Sequence, residues 1–229
     1  QRGLDTRHPN AAATLMNLAQ ALQLGGKLSE AERYYRQSLD AKRAALGDTH
    51  PSVTISLNNL GAMLANQLGR AAEGEQLIRQ AIALDRHIFG PRHSYVAEGL
   101  RNLGMIQRGR GHFAAADSAL QEALRINREL YGNRHERVAA VVGQLALLRS
   151  LQRRTAEAIR LQRESLAIHR DVLGNEHPNT RAVMANLSRM LTESGLPREG
   201  EPLAREALAG LDSSSGGHRM VYLVSARAL

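Results

Sequence analysis

Histidines at 8, 50, 93, 135, 177 and 218 recur about every 42 residues along this 229-residue chain. Four of them close the same Gly-x-x-His corner, in LGDTHP (46–51), FGPRHS (89–94), YGNRHE (131–136) and LGNEHP (173–178); His8-Pro9 and GGH (216–218) mark weaker copies. A period between 20 and 50 residues signals a stacked array of supersecondary units, because each unit alone cannot bury its apolar face. Such an array grows by adding neighbours rather than by enlarging one core. The expectation is one elongated domain over 1–229, with repeats at 8–49, 50–92, 93–134, 135–176 and 177–217, and a partial sixth repeat or capping helix at 218–229.

Within each repeat, two segments carry apolar residues at helical spacing. Ile55, Leu57, Leu60, Met63 and Leu64 show the first; Leu77, Ile78, Ile82, Leu84 and Ile88 show the second. Both fit i, i+3, i+4, i+7 better than strict alternation. Each repeat is therefore predicted as a hairpin of helix A and helix B. Gly47, Gly90, Gly132 and Gly174 suit the left-handed position past a helix end, and Pro9, Pro51 and Pro178 suit the first turn of the next helix. Where proline is missing, Ser94 is expected to cap and Glu136 to favour the positive end of the helix dipole. A second breaker divides A from B: Gly25-Gly26, Gly69, Gly109 to Gly111 or Gly195. In the fourth repeat Gln152-Arg153-Arg154 stands there instead, without a glycine.

Three series of small residues fall in register with the period. They are Ala19, Gly61, Gly104, Ala146 and Ser188 on helix A; Ala31, Gly74, Ala116, Ala158 and Gly200 on helix B; and Ser38, Ala81, Ala123, Ser165 and Ala207 seven residues later. Close interaxial distances of about 8–10 Å require small contacts, so these positions are where helices should touch.

The motifs themselves read NLAQAL (17–22), NLGAML (59–64), NLGMIQ (102–107), QLALLR (144–149) and NLSRML (186–191) on helix A, and SEAERYYRQSL (29–39) and AEGEQLIRQAI (72–82) on helix B, with looser copies at 114–124, 156–166 and 198–208. This pattern resembles the tetratricopeptide repeat in the 42-residue form of kinesin light chains, over essentially the whole chain. The resemblance implies an all-α fold, a right-handed αα-superhelix of about five hairpins plus a terminal helix, whose A helices line a concave groove.

Composition narrows the function. There is no cysteine, hence no disulfide framework and no thiolate metal site. No apolar run approaches a membrane span, and no signal segment opens the chain, so a cytoplasmic protein without a membrane partner is expected. The formal charge of +8 invites a nucleic-acid reading. However, 28 of the 30 basic residues are Arg and only Lys27 and Lys42 are Lys, a skew better explained by a GC-rich genome. Arg33, Arg36 and Arg43 alternate with Glu30, Glu32 and Asp40 as on a solvated helix face. Aromatics make up 3% of the chain, too few for base-stacking platforms. The corner histidines belong to different repeats, too far apart to share a zinc ion. No GxSxG, HExxH or phosphate loop is present, so no enzyme, catalytic residue, cofactor or metal is expected.

One polar series asks for a reason. Asn17, Asn59, Asn102 and Asn186 occupy one point on successive A helices, with Gln144 in the fourth repeat, although Asn is a poor helix-interior residue. A carboxamide there could bond across to the adjacent hairpin, or could both donate to and accept from the backbone of an extended peptide. In the family, the asparagine preceding this Leu is implied in ligand contact. Flanking positions include Met16, Asn58, Arg101, Met105, Gly143, Leu147, Ala185 and Arg189. Arg101, Arg108 and Arg189 are expected to attract carboxylates and Gly143 to Leu147 to offer an apolar patch. The carboxylate clamp of some relatives is not reproduced, because no Lys lies on any A helix.

The expected function is a protein- or peptide-binding scaffold, the adaptor or sensor segment of a larger bacterial protein, taking an acidic peptide with a hydrophobic anchor. The peptide site is assigned to Asn17, Asn58, Asn59, Arg101, Asn102, Arg108, Gln144, Asn186 and Arg189. A structural spacer or self-association module is the alternative, and an RNA-binding array ranks third. A chain opening on Gln1 and ending in RMVYLVSARAL (219–229) reads as a fragment cut inside a repeat, for which end-to-end self-association is a further expectation.

Overall fold

The computed structural model describes residues 9–209. Ten α-helices follow one another: α1 (Pro9–Leu24), α2 (Leu28–Leu46), α3 (Pro51–Asn66), α4 (Ala71–Phe89), α5 (Ser94–Gly109), α6 (Phe113–Tyr131), α7 (Glu136–Leu151), α8 (Thr155–Leu173), α9 (Pro178–Glu193) and α10 (Pro197–Leu208). Odd-numbered helices are the A helices, each of 16 residues, and even-numbered ones the B helices, of 19 residues up to α8. His8, the GGH at 216–218 and the sixth-repeat segment lie outside the described residues. Compactness divides the chain into a first unit ending at Ile126 and a second beginning at Asn127.

In the first unit, α1 packs on α2 and α3 on α4, while α2 meets α3, α4 meets α5, and α3 meets α5; in the second, α7 packs on α8 and α9 on α10, with α8 against α9. The small-residue series mark where this packing is tightest. All fifteen positions are buried. A Cβ on Gly74 would stand 2.4 Å from the Gly61 carbonyl oxygen and 2.8 Å from the Ala65 Cβ, so α3 and α4 approach backbone to backbone. Gly104 instead makes room for the Leu120 side chain, and a Cβ on Gly200 would meet the Ser188 carbonyl. Serines of the third series use their room for a hydrogen bond: Ser38 Oγ donates to the Ala12 carbonyl (2.7 Å) and Ser165 Oγ to that of Ala139 (2.8 Å).

The corner histidines cap the helices that follow them. His50, His93, His135 and His177 are the N-caps of α3, α5, α7 and α9. Each Nδ1 accepts the backbone N–H two residues on, from Ser52 (3.2 Å), Tyr95 (3.2 Å), Arg137 (3.0 Å) and Asn179 (3.2 Å). A neutral imidazole presents one lone pair, which here serves an otherwise orphaned helix-terminal donor. Ser94 is thus the first helical residue rather than the cap. Aromatic residues ending the preceding B helices steady two of the rings: Phe89 stacks on His93 at 4.2 Å and Tyr131 on His135 at 4.3 Å.

Gly47, Gly90 and Gly174 do have positive φ, but with ψ of 162°, 169° and 168° they lie in the extended mirror region rather than the left-handed helical one. That region is essentially confined to glycine. Between A and B, Gly26, Gly69, Gly111 and Gly195 have φ from 69° to 79°, and in the fourth repeat Arg153 takes the same turn at φ 61°. The turn after α3 is one residue longer than the others, which explains the 43-residue interval from His50 to His93.

Candidate functional site

The A helices turn a half-exposed stripe outward, made of residues at the fifth, eighth, ninth, twelfth and fifteenth helical positions. On α5 these are Glu98, Arg101, Asn102, Met105 and Arg108. The spacing of three and four residues keeps them on one face. Small and apolar residues elsewhere on the helix commit the remaining faces to packing: Gly104, Leu100, Leu103 and Ile106 are all buried.

In the first unit the structure separates the carboxamides into two kinds. Asn102 is 8% exposed, and its Nδ2 donates to Asn58 Oδ1 at 3.1 Å, joining α5 to α3. The bond runs to the residue preceding the equivalent asparagine, not to the equivalent itself. Asn59 is half-buried and Asn17 exposed, and neither side chain has a hydrogen-bond partner among the described residues. In the second unit Asn186 is likewise half-buried and unpartnered among the described residues, and Gln144 carries a buried Oε1 with no donor.

The three arginines differ sharply. Arg101 pairs with Glu98 at 2.6 Å and approaches the Met105 sulfur at 3.7 Å. Arg189 pairs with Glu193 at 3.0 Å. Arg108 is half-buried and has no carboxylate or hydrogen-bond partner among the described residues. Burial without a counter-charge lowers its pKa from the ordinary arginine value. Its counterparts in the other repeats are Gln23, Ala65, Ser150 and Thr192, so only the third repeat carries a cation there.

Elsewhere the positive charge is largely internal to the B helices. Arg86 pairs with Glu122, Arg128 with Glu164 and Arg170 with Glu206, each linking one B helix to the next. Arg36 and Arg70 close a four-residue network with Glu32 and Glu73. Burial raises the Glu32 pKa, but hydrogen bonds from Arg36 and Arg70 outweigh it and hold the carboxyl below its ordinary value.

Two clefts open on a different face. One of about 380 Å3 lies between α4 and α6 over Leu100 and Leu103; another of about 510 Å3 lies between α8 and α10 over Leu187 and Leu191. Their rims are bridged by Arg86–Glu122 and Arg163–Glu199. No group of three or more His, Asp or Glu side chains among the described residues is placed to hold a metal ion, and none of these helices is long and apolar enough to cross a membrane.

No curated protein matches this sequence. Among solved structures, BtubC (BKLC) from P. vanneervenii is similar at a TM-score of 0.72 and 23% identity, over 87% of this chain and 79% of that one. A putative kinesin light chain with nearly identical TPR-like repeats from Podosopora anserina gives 0.68 and 23%, over 88% and 95%. The Rap conjugation gene regulator of plasmid pLS20, in complex with the Phr* peptide, gives 0.73 and 12%, over 85% and 51%. At these identities the likeness speaks for the fold. Tetratricopeptide repeat models match residues 11–52, 52–129 and 137–213. With its all-helical hairpins and repeats like those of kinesin light chains, the chain belongs to the tetratricopeptide repeat family.

Proposed function

We propose that this array is a protein-interaction scaffold that takes an extended peptide along the A-helix stripe of its first unit. The observation that carries the reading is the pair of unpartnered carboxamides, Asn17 and Asn59, beside the bonded Asn58 and Asn102. A free amide held on a rigid helix can donate to one backbone group of an extended chain and accept from another. The Rap regulator of similar fold holds the Phr* peptide, which supports the mode though not the ligand. In the second unit Asn186 offers a comparable free amide, whereas the Gln144 oxygen is buried. The alternative of a spacer without a ligand draws on the Asn102–Asn58 bond, which ties adjacent hairpins together.

A displayed library of random peptides, probed with the parent and an Asn17→Ala/Asn59→Ala variant, separates the two readings. The groove reading expects one motif enriched by the parent and lost by the variant at unchanged thermal stability. Absence of enrichment, or a variant that binds as well as the parent, would overturn it. Asn102→Ala is the contrasting control, since losing the bond to Asn58 is expected to lower stability by about 1 kcal/mol.

A further inference from the structure

We propose that the cleft between α4 and α6 docks an amphipathic helix of a partner protein, on the B helices and away from the A-helix stripe. The third and seventh residues of a B helix stand one turn apart on one face, at i and i+4. They are Glu30 and Tyr34 on α2, Glu73 and Leu77 on α4, Glu157 and Leu161 on α8, and Glu199 and Leu203 on α10. On α6 alone both are alanine, Ala115 and Ala119.

Where the pair is present, it closes the groove to the preceding B helix. Glu73 takes Arg36 at 2.7 Å, and Glu199 takes Arg163 at 2.6 Å. Leu77 packs against the core of the first unit, and Leu203 against the cluster that holds Leu187 and Leu191. The cleft between α8 and α10 keeps its pair and is spanned twice, by Arg163–Glu199 and Arg170–Glu206. The cleft of about 380 Å3 between α4 and α6, floored by the buried Ile82, Leu100 and Leu103, is spanned by Arg86–Glu122 at one end. At the other end Ala115 has no carboxylate to offer.

That open end is one negative charge short. One repeat earlier, Arg36 and Arg70 face two carboxylates, Glu32 and Glu73. Here Arg79, the counterpart of Arg36, and Arg110 both pair with Glu75, which also accepts from Gln107 Nε2 at 2.6 Å. A carboxylate brought to the mouth of the cleft restores two against two, and an aliphatic side chain one turn away covers Leu100 and Leu103. The two missing groups are related as i and i+4, and the small Ala115 and Ala119 let another helix axis approach to about 8–10 Å. The ligand is therefore a helix laid in the groove rather than an extended chain. None of the exposed large apolar side chains on the described helices has an acid four residues before it, so the occupant is another protein and not a second copy of this chain.

The test probes the whole chain with a displayed library of stapled helical peptides randomised along one face. The parent is expected to enrich helices with Asp or Glu four residues before Leu, Ile or Met. Ala115→Glu/Ala119→Leu gives α6 the pair that α4, α8 and α10 carry; it should melt no lower than the parent and bind the enriched helix about a hundred-fold more weakly. Ser118→Arg obstructs the mouth from an exposed position where α8 carries Arg160, and should repeat the loss whatever the stability of the double variant. Arg79→Gln should weaken binding about ten-fold and remove the preference for the acid over its amide. Asn17→Ala/Asn59→Ala should bind the helix as the parent does, which separates this site from the groove for an extended peptide. No helix enriched by the parent, binding that survives both obstructing variants, an acid preference that persists in Arg79→Gln, or binding lost with the two asparagines would overturn the proposal. Each of these outcomes leaves the groove reading to its own test.

Discussion

Lys42 is one of only two lysines in the chain, and replacing it with Met should stabilise the protein. Its side chain is 6% exposed, with Nζ donating to Ser56 Oγ at 2.8 Å and lying 3.4 Å from the Met16 sulfur. No carboxylate pairs with it among the described residues. Burial accordingly lowers its pKa to about 8 from the ordinary 10.5. A lysine whose folded pKa lies below its unfolded one binds its proton more weakly in the native state. The resulting penalty is complete below pH 8 and fades as pH rises towards 10.5. At about 1.36 kcal/mol per pKa unit, the penalty is about 3 kcal/mol at pH 7, about 2 kcal/mol at pH 9 and under about 1 kcal/mol at pH 10. Met fills nearly the same volume, so no cavity forms, and Ser56 Oγ keeps its bond to the Ser52 carbonyl at 3.2 Å. Lys42→Met is expected to gain about 2–3 kcal/mol at pH 7, the lost Ser56 bond taking part of the full figure. Urea unfolding of both proteins at pH 7 and pH 10, followed by circular dichroism, measures the gain and its pH dependence together. A gain of the same size at both pH values would refute the electrostatic account, and no gain at pH 7 would show that the ammonium is adequately solvated where it lies.

Other positions yield similarly direct tests. Gly74→Ala should cost about 1–3 kcal/mol, because the new Cβ meets backbone of α3 at 2.4 Å and α3 and α4 must part; Gly109→Ala, with nothing within 4 Å, should be neutral or stabilising by up to about 1 kcal/mol. Equal effects in thermal unfolding would refute the packing argument. Arg153→Gly should stabilise the second unit by about 1 kcal/mol, since φ 61° suits glycine better than any side chain; an unchanged or lower melting temperature would show that Arg153 earns its strain elsewhere. His177→Ala should lose about 1 kcal/mol with its cap on Asn179 N–H, and His177→Asn should recover most of it. Hydrogen exchange in the first turn of α9 would rise in the alanine variant alone if the cap acts as described.

What was legible in the sequence was whatever the fold repeats. The period, the hairpin and the small-residue contacts are required five times over, so Gly61, Gly104, Ala146 and their counterparts stand out above the variation around them. The corner histidines were equally visible as a pattern but not as a mechanism. Histidine is not a usual cap, and only the geometry shows Nδ1 turned back onto the helix. The fate of each stripe arginine was partly legible. Glu98 lies three residues before Arg101 and Glu193 four after Arg189, whereas no acid stands three or four residues from Arg108; which rotamer closes each pair shows only in the structure. Glu98 and Glu193 neutralise two of the three.

A further series was hidden because its residues share a place without sharing a chemistry. Lys42, Asp85, Asn127 and His169 occupy the same point on α2, α4, α6 and α8, and all four are buried. A search for repeated residue types passes over them, since ammonium, carboxylate, carboxamide and imidazole have only polarity in common. Each repeat solves the same problem with different neighbours. Lys42 reaches Ser56; burial raises the Asp85 pKa while a hydrogen bond with Thr54 and the nearby His93 act in the opposite direction; His169 Nδ1 lies 2.9 Å from the Ser165 carbonyl. Asp85 and Asn127 each keep a buried oxygen with no hydrogen-bond partner among the described residues. Lys42 reaches the next hairpin through Ser56, while His169 turns to a carbonyl of its own helix, so the point stays polar without calling for one kind of contact. Repetition thus builds the frame, and departures from repetition, in the buried interfaces and on the exposed stripe, set what each hairpin contacts.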